Sequence, residues 1–113
     1  MTVKVNPRSE GDVTVIVLDG EINSTTSGGL QAQLLPFIQQ GAEVLIDLTG
    51  VSYVSSAGLR TLLILHRRAQ QLDATIILVG LSDEVRFVMS ATGFLDFFRI
   101  GDDVDSELER AGR

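Results

Sequence analysis

The stretch Val44-Leu-Ile-Asp-Leu-Thr-Gly-Val-Ser-Tyr-Val-Ser-Ser-Ala-Gly-Leu59 decides how this chain folds. It opens on a short continuous apolar run, residues 44–46, of the kind that fills a strand buried on both faces of a sheet. It closes on two hydroxyls, Ser55 and Ser56, ahead of a segment whose leucines recur at helical spacing, so a helix is expected from Ala57 to Gln71. Residues 47–54, between the two, read as a connecting loop. A second β-rich run, residues 75–79, follows the helix, and strands joined through a helix lie parallel in one sheet.

Outward from this unit the pattern repeats. Upstream, the β-branched runs 3–5 and 13–18 are separated by Pro7, Ser9, Gly11 and Asp12, which predicts a hairpin. Asn23 and Ser24 are the two candidates to cap a first helix through Leu30, Leu34, Phe37 and Ile38, with Gly41 suited to its C-terminal end. Gly28 and Gly29 weaken its start, and Pro36 must kink or break its last turn. Downstream, a helix from Ser82 or Asp83 to Thr92 stops at Gly93; a short strand over 97–100 and an acidic helix over 102–110 complete the chain. The expected fold is α/β: a mixed, mostly parallel sheet with about four helices packed on it, as one domain over residues 1–113.

Composition narrows the function. The chain has 113 residues, no cysteine and no tryptophan, so its core is aliphatic and neither disulfides nor thiolate metal sites are available. Nine basic residues against fifteen acidic ones give a net charge of −6, which opposes binding to a nucleic-acid backbone. No apolar run approaches the roughly 20 residues that span a bilayer, and the opening Met1-Thr-Val-Lys lacks the order of a signal peptide, so a cytoplasmic location without direct membrane insertion is expected.

Enzymatic readings fail on geometry. Ser56 and His66 fall on one predicted helix ten residues apart, roughly 15 Å along its axis, out of reach of each other as nucleophile and base. His66 lies among Leu59, Leu62 and Leu63, as a partly buried, hydrogen-bonded core histidine would. Asp47 stands where the phosphate acceptor of a response-regulator receiver domain stands, but the acidic pair and the late lysine such domains need are absent; the one lysine is Lys4. Asp47 is therefore expected to support the loop after it by accepting backbone N–H groups. No phosphate-loop, dinucleotide or zinc motif is present, so neither a cofactor nor a metal is implied.

A serine at a helix start is first of all an N-cap, but the exposed N–H groups and positive dipole end there also favour a phosphate. Taken together, Leu18-Asp-Gly-Glu-Ile-Asn23, Ile46-Asp-Leu-Thr49, Ser55-Ser-Ala-Gly-Leu59, Val79-Gly-Leu-Ser82, Val85 and Gly93-Phe-Leu95 give a chain that resembles the STAS domain of bacterial anti-sigma factor antagonists over nearly its whole length. Ser55-Ser-Ala-Gly-Leu59 is similar to that family's Asp-Ser-Ser-Gly-Leu. The resemblance implies that Ser56 is phosphorylated by a partner that is both anti-sigma factor and ATP-dependent serine kinase. It implies that the unphosphorylated antagonist captures that partner and frees a sigma factor, and that a serine phosphatase resets the switch. Three residues depart from the pattern: Ser55 replaces an aspartate, Ala57 a second hydroxyl, and Asn23 an aspartate. Two negative charges near Ser56 are thereby lost, and Ser55 becomes a second candidate acceptor.

The partner-binding surface expected from these residues comprises Asn23, Ser24 and Thr25 before the first helix, and Ser55, Ser56, Ala57 and Gly58 at the start of the second. On that second helix Ile64 falls opposite the core arc of Leu59, Leu62, Leu63, Leu65, Ala69 and Leu72, between Arg60 and Arg67. It is either an isolated apolar surface residue or, with Arg60 and Arg67, part of the same surface. A different class of function stays open on sequence alone: a stand-alone STAS subunit of a lipid or anion transport complex.

Overall fold

Leu48, Val51 and Val54 are all buried, three residues apart, where a regular strand would bury every second residue. The structure, a computed structural model describing residues 3–110, shows why. They belong to one twelve-residue strand, β3 (Glu43–Val54), whose pairing with β2 (Val13–Ile22) is broken by two irregularities. Val17 and Asp19 face Asp47 and Gly50, and Gly20 and Glu21 face Val51 and Tyr53, so β3 gains an extra residue twice. The segment 47–54, expected as a loop, is strand instead, because β2 keeps pairing with it as far as Ile22 and Val54.

The other strands are β1 (Val3–Glu10), β4 (Thr75–Val79) and β5 (Arg99–Gly101), in the sheet order β1-β2-β3-β4-β5. β1 runs antiparallel to β2 around the Gly11-Asp12 turn, and every other pair is parallel, as expected. Pro7 and Ser9, expected in the turn, lie within β1. A proline is tolerated there because β1 is an edge strand with one side of its ladder free.

The helices are α1 (Ser27–Leu34), α2 (Ser56–Gln71), α3 (Asp83–Ala91) and α4 (Val104–Arg110). Pro36 breaks the first helix: α1 stops at Leu34 and a 3₁₀ turn, Leu35–Phe37, follows. Gly41 therefore caps no helix, and its N–H donates to the Leu72 carbonyl at 2.9 Å. α3 begins on Ser82, whose hydroxyl accepts from the Val85 N–H, and Gly93 beyond its end adopts φ 80°. Residues 94–97, part of which was expected as strand, form a second 3₁₀ turn ahead of β5. α4 is capped by Asp103, which accepts from the Ser106 N–H at 2.8 Å; that bond holds its carboxyl below the ordinary carboxylate range.

The central strands are apolar on both faces, as their sequence implied. Ile16, Leu18, Val44, Ile46, Ile76 and Leu78 pack beneath α1, α2 and α3, whereas Val13, Val15, Leu45, Ile77 and Val79 meet Val104 and Leu108 of α4. The Cα radius of gyration, 12.8 Å, matches the roughly 13 Å expected for one core at this length. Met1 and Thr2, read above for a leader, and residues 111–113 lie outside the described residues.

Asp47 does bond locally, but to the first irregularity of β3 rather than to a loop. Its Oδ1 accepts from the Thr49 N–H at 2.9 Å and from the Thr49 hydroxyl at 2.6 Å. Gly80, after β4, lies against this pair with φ 72°, and a Cβ there would overlap Thr49 Oγ1 and stand 2.9 Å from Asp47 Oδ1. Gly80→Ala is therefore expected to cost about 2 kcal/mol, a fall in Tm on the order of 10 °C. Thermal denaturation tests this, and an unchanged Tm would contradict the close approach.

Candidate functional site

Two turns meet at the carboxyl ends of β2 and β3. The first runs from Asn23 to Thr26 and is closed by its own side chains. Asn23 Oδ1 accepts from the Thr25 and Thr26 N–H groups at 2.9 and 3.1 Å, and the Asn23 N–H donates to Thr26 Oγ1 at 2.9 Å. The buried Thr26 hydroxyl donates to the Glu21 carbonyl at 2.8 Å. Neither Asn23 nor Ser24 caps the first helix as expected: Asn23 closes this turn instead, the first helix residue is Ser27, and the residue before it, Thr26, makes no side-chain cap bond. Ser24 and Thr25 are left exposed at the tip.

The second turn is the junction of β3 and α2. Its Ser55 N–H donates to the Ile22 carbonyl at 2.8 Å, which ties the two turns together. Gly58, in the first turn of α2, is buried beneath this link: a Cβ there would fall 2.7 Å from Ile22 Cγ2 and 2.9 Å from both the Ile22 carbonyl oxygen and Val54 Cγ1. Deeper down, the buried Thr61 hydroxyl donates to the Ser27 carbonyl at 3.4 Å, joining α2 to α1. The residues expected around Asn23 and around Ser56, far apart in the chain, are brought side by side.

The two serines differ in what their hydroxyls do. Ser55 is the N-cap, and its Oγ accepts from the Gly58 N–H at 3.2 Å. Ser56 is the first helical residue, exposed, and its hydroxyl bonds to none of the described residues. The first turn of α2 carries no acidic residue, so the positive end of the helix dipole there is uncompensated. Ala57 is half-buried beside it.

Arg60 is exposed one turn beyond Ser56, and Arg67 is exposed two turns further; neither forms an ion pair among the described residues. Ile64 is half-buried rather than exposed. It faces a groove of about 600 Å³ that it shares with Ala32, Leu35, Pro36 and Arg67. The reason is Pro36: by ending α1 early it turns the chain toward α2 and gives Ile64 neighbours that a helical wheel cannot foresee. Leu63, expected in the core arc, is likewise only half-buried.

His66 makes no hydrogen bond among the described residues and instead packs edge-on against Phe98 and Phe97, with ring centroids 5.3 and 6.3 Å apart. Sequence reasoning missed Tyr53 and Phe87, which are 50% and 72% exposed. Tyr53 is exposed through the second irregularity of β3, which leaves Ser52 and Tyr53 exposed in succession between the buried Val51 and Val54.

Known proteins share this fold. A family model described as the STAS domain matches residues 4–107. The anti-sigma factor antagonist BtrV of Bordetella bronchiseptica is 33% identical over 87 residues, which cover 76% of this chain and 75% of that one. Among solved structures, an anti-sigma factor antagonist of Thermotoga maritima superposes with a TM-score of 0.87 at 18% identity, covering 96% and 95% of the two chains. The phosphorylated form of the Bacillus cell fate determinant SpoIIAA superposes with a TM-score of 0.72 at 21% identity, covering 97% of this chain and all of that one (100%). At those identities the structures testify to the fold. The family match over 104 positions and the Bordetella relative carry the further step: this chain belongs to the STAS domain family of anti-sigma factor antagonists.

Proposed function

We propose that this protein, as one STAS domain over residues 1–113, is a non-enzymatic cytoplasmic regulator that captures an anti-sigma factor with serine kinase activity when Ser56 is unmodified. Phosphorylation of Ser56 by that partner releases it, a serine phosphatase restores capture, and sigma-factor-dependent transcription follows the balance. The observation that carries this reading is the division of labour between adjacent serines. Ser55 is held as the helix cap, while Ser56 presents an unbonded, exposed hydroxyl at an acid-free helix start. The acceptor is therefore Ser56, with Ser55 retained for structure. The name of the Bordetella relative favours this reading over a transport-complex subunit, and the phosphorylated form of SpoIIAA shares the fold.

The partner-binding surface in this reading is the joined pair of turns: Asn23, Ser24 and Thr25 on one side, Ser55, Ser56 and Ala57 on the other; Gly58, expected on that surface, is buried beneath it and only holds the two turns close. Arg60, Ile64 and Arg67 extend it along α2. Asp47 supports it indirectly, by fixing the β3 irregularity that sets the course of the strand toward Ser55.

The switch is local. A phosphoserine adds about −1.5 to −2 charges, and each charge placed 4 Å from a partner carboxylate costs about 4 kcal/mol at an effective dielectric of 20. Screening that halves this still leaves about 2 kcal/mol, roughly a thirtyfold loss of affinity. The phosphate meets the exposed N–H groups of α2 favourably, so the backbone has no reason to rearrange.

Mixing the protein with ATPase-type anti-sigma factors and ATP tests the reading. Wild type is expected to gain one phosphate, Ser56→Ala none, and Ser56→Asp to bind about thirtyfold more weakly; capture of Ser56→Asp as tight as that of wild type would refute the switch. Ser55→Ala is expected to lose about 1 kcal/mol of stability with its cap, yet still to be phosphorylated on Ser56. Phosphopeptide mapping and thermal denaturation read the two effects separately.

A further inference from the structure

Tyr53, Phe87 and Phe97 are the large apolar side chains that stand exposed among the described residues, and two of the three face one cleft. That cleft, about 520 Å³, lies between the end of β3 and α3. Tyr53 and Phe87 form its walls, and Val54, Val85 and Val88 complete its apolar lining. Asp83 and Glu84 stand at its rim, one helical turn before Phe87 and on the same side of α3. Neither acid pairs with a cation among the described residues.

We propose that this cleft receives one large apolar side chain of the captured partner, flanked by an arginine or lysine that pairs with Asp83 and Glu84. The proposal rests on the capture reading above and names the chemistry by which the partner is held. The cleft has room for a leucine or aromatic side chain together with the stretch of partner chain that carries it, and desolvated aromatic pockets of this kind dominate binding energy at interfaces. The acidic rim selects the occupant's charge. It opposes an anionic lipid surface and a nucleic-acid backbone, and it attracts a basic protein segment.

Val54 is two residues before Ser56, so a single partner covers both cleft and switch. The two then do different work. The cleft supplies affinity in either state of the serine, and the phosphate changes affinity by a constant factor.

The test uses the full chain and an anti-sigma kinase that phosphorylates Ser56, with affinity read by titration calorimetry and folding by thermal denaturation. Phe87→Ala and Tyr53→Ala are each expected to weaken capture tenfold or more while the ratio between the serine and phosphoserine forms stays the same. The pair Asp83→Asn with Glu84→Gln is expected to weaken capture and to flatten its dependence on salt in the same titrations. Phe97→Ala, an exposed aromatic packed against His66 instead, is expected to bind within twofold of wild type. The proposal is overturned if Phe87→Ala and Tyr53→Ala bind like wild type, or if Phe97→Ala loses as much as they do. It is overturned equally if wild type self-associates and Phe87→Ala abolishes that, because a second copy then fills the cleft. A wild type that is neither captured nor phosphorylated on Ser56 by such kinases would instead remove the capture reading, and the proposal with it.

Discussion

The hydrogen bond from the Ser55 N–H to the Ile22 carbonyl continues the parallel ladder of β2 and β3 one residue past the end of β3. Everything that gives this surface its character follows from it. It sets the β3–α2 turn against the Asn23 turn, and it brings the first turn of α2 so close to Ile22 that only a glycine fits at position 58. The cost of such closeness is a loss of side-chain packing at that position. Its return is an α2 N-terminus held beside a second loop, with the Ser56 hydroxyl facing solvent.

Charge is distributed to the same end. The chain is acidic overall, yet the start of α2 is free of carboxylates while its outer side carries Arg60 and Arg67 without ion pairs among the described residues. The first turn of α3 carries Asp83 and Glu84, which complement its dipole. A partner approaching the carboxyl ends of the strands thus meets a neutral or basic helix start beside an acidic one. Added negative charge on Ser56 erases that contrast, and it does so without disturbing a core in which no buried side-chain polar atom lacks a bond among the described residues.

Much of this was legible in advance, and the failures have specific causes. Residues 44–46 and 75–79 announced buried parallel strands because a strand apolar on both sides admits little else. Residues 47–54 were misread as a loop because two extra residues break the period of two, so that Leu48, Val51 and Val54 recur at threes. The irregularities are fixed by partners outside the segment: β2 on one side, and Gly80 pressed against Asp47 and Thr49 on the other. Tyr53 was missed for the same reason. Ile64 was placed in solvent because a wheel drawn for α2 alone holds no information about Pro36 and the turn it imposes. His66 was expected to find a hydrogen bond and found aromatic edges instead, supplied by Phe97 and Phe98 from beyond α3.

The amino-acid sequence by itself determined the order of strands and helices, the aliphatic core, the hairpin, and the pair of serines at a helix start, because each depends on periodicity, capping and turn chemistry within a few residues. Only the tertiary structure decided which serine is the cap and which is free, that the Asn23 turn stands beside them, and that Tyr53 and Phe87 share a cleft. Those outcomes depend on distances between segments far apart in the chain, and such distances come into being only when the sheet closes and its helices settle on it.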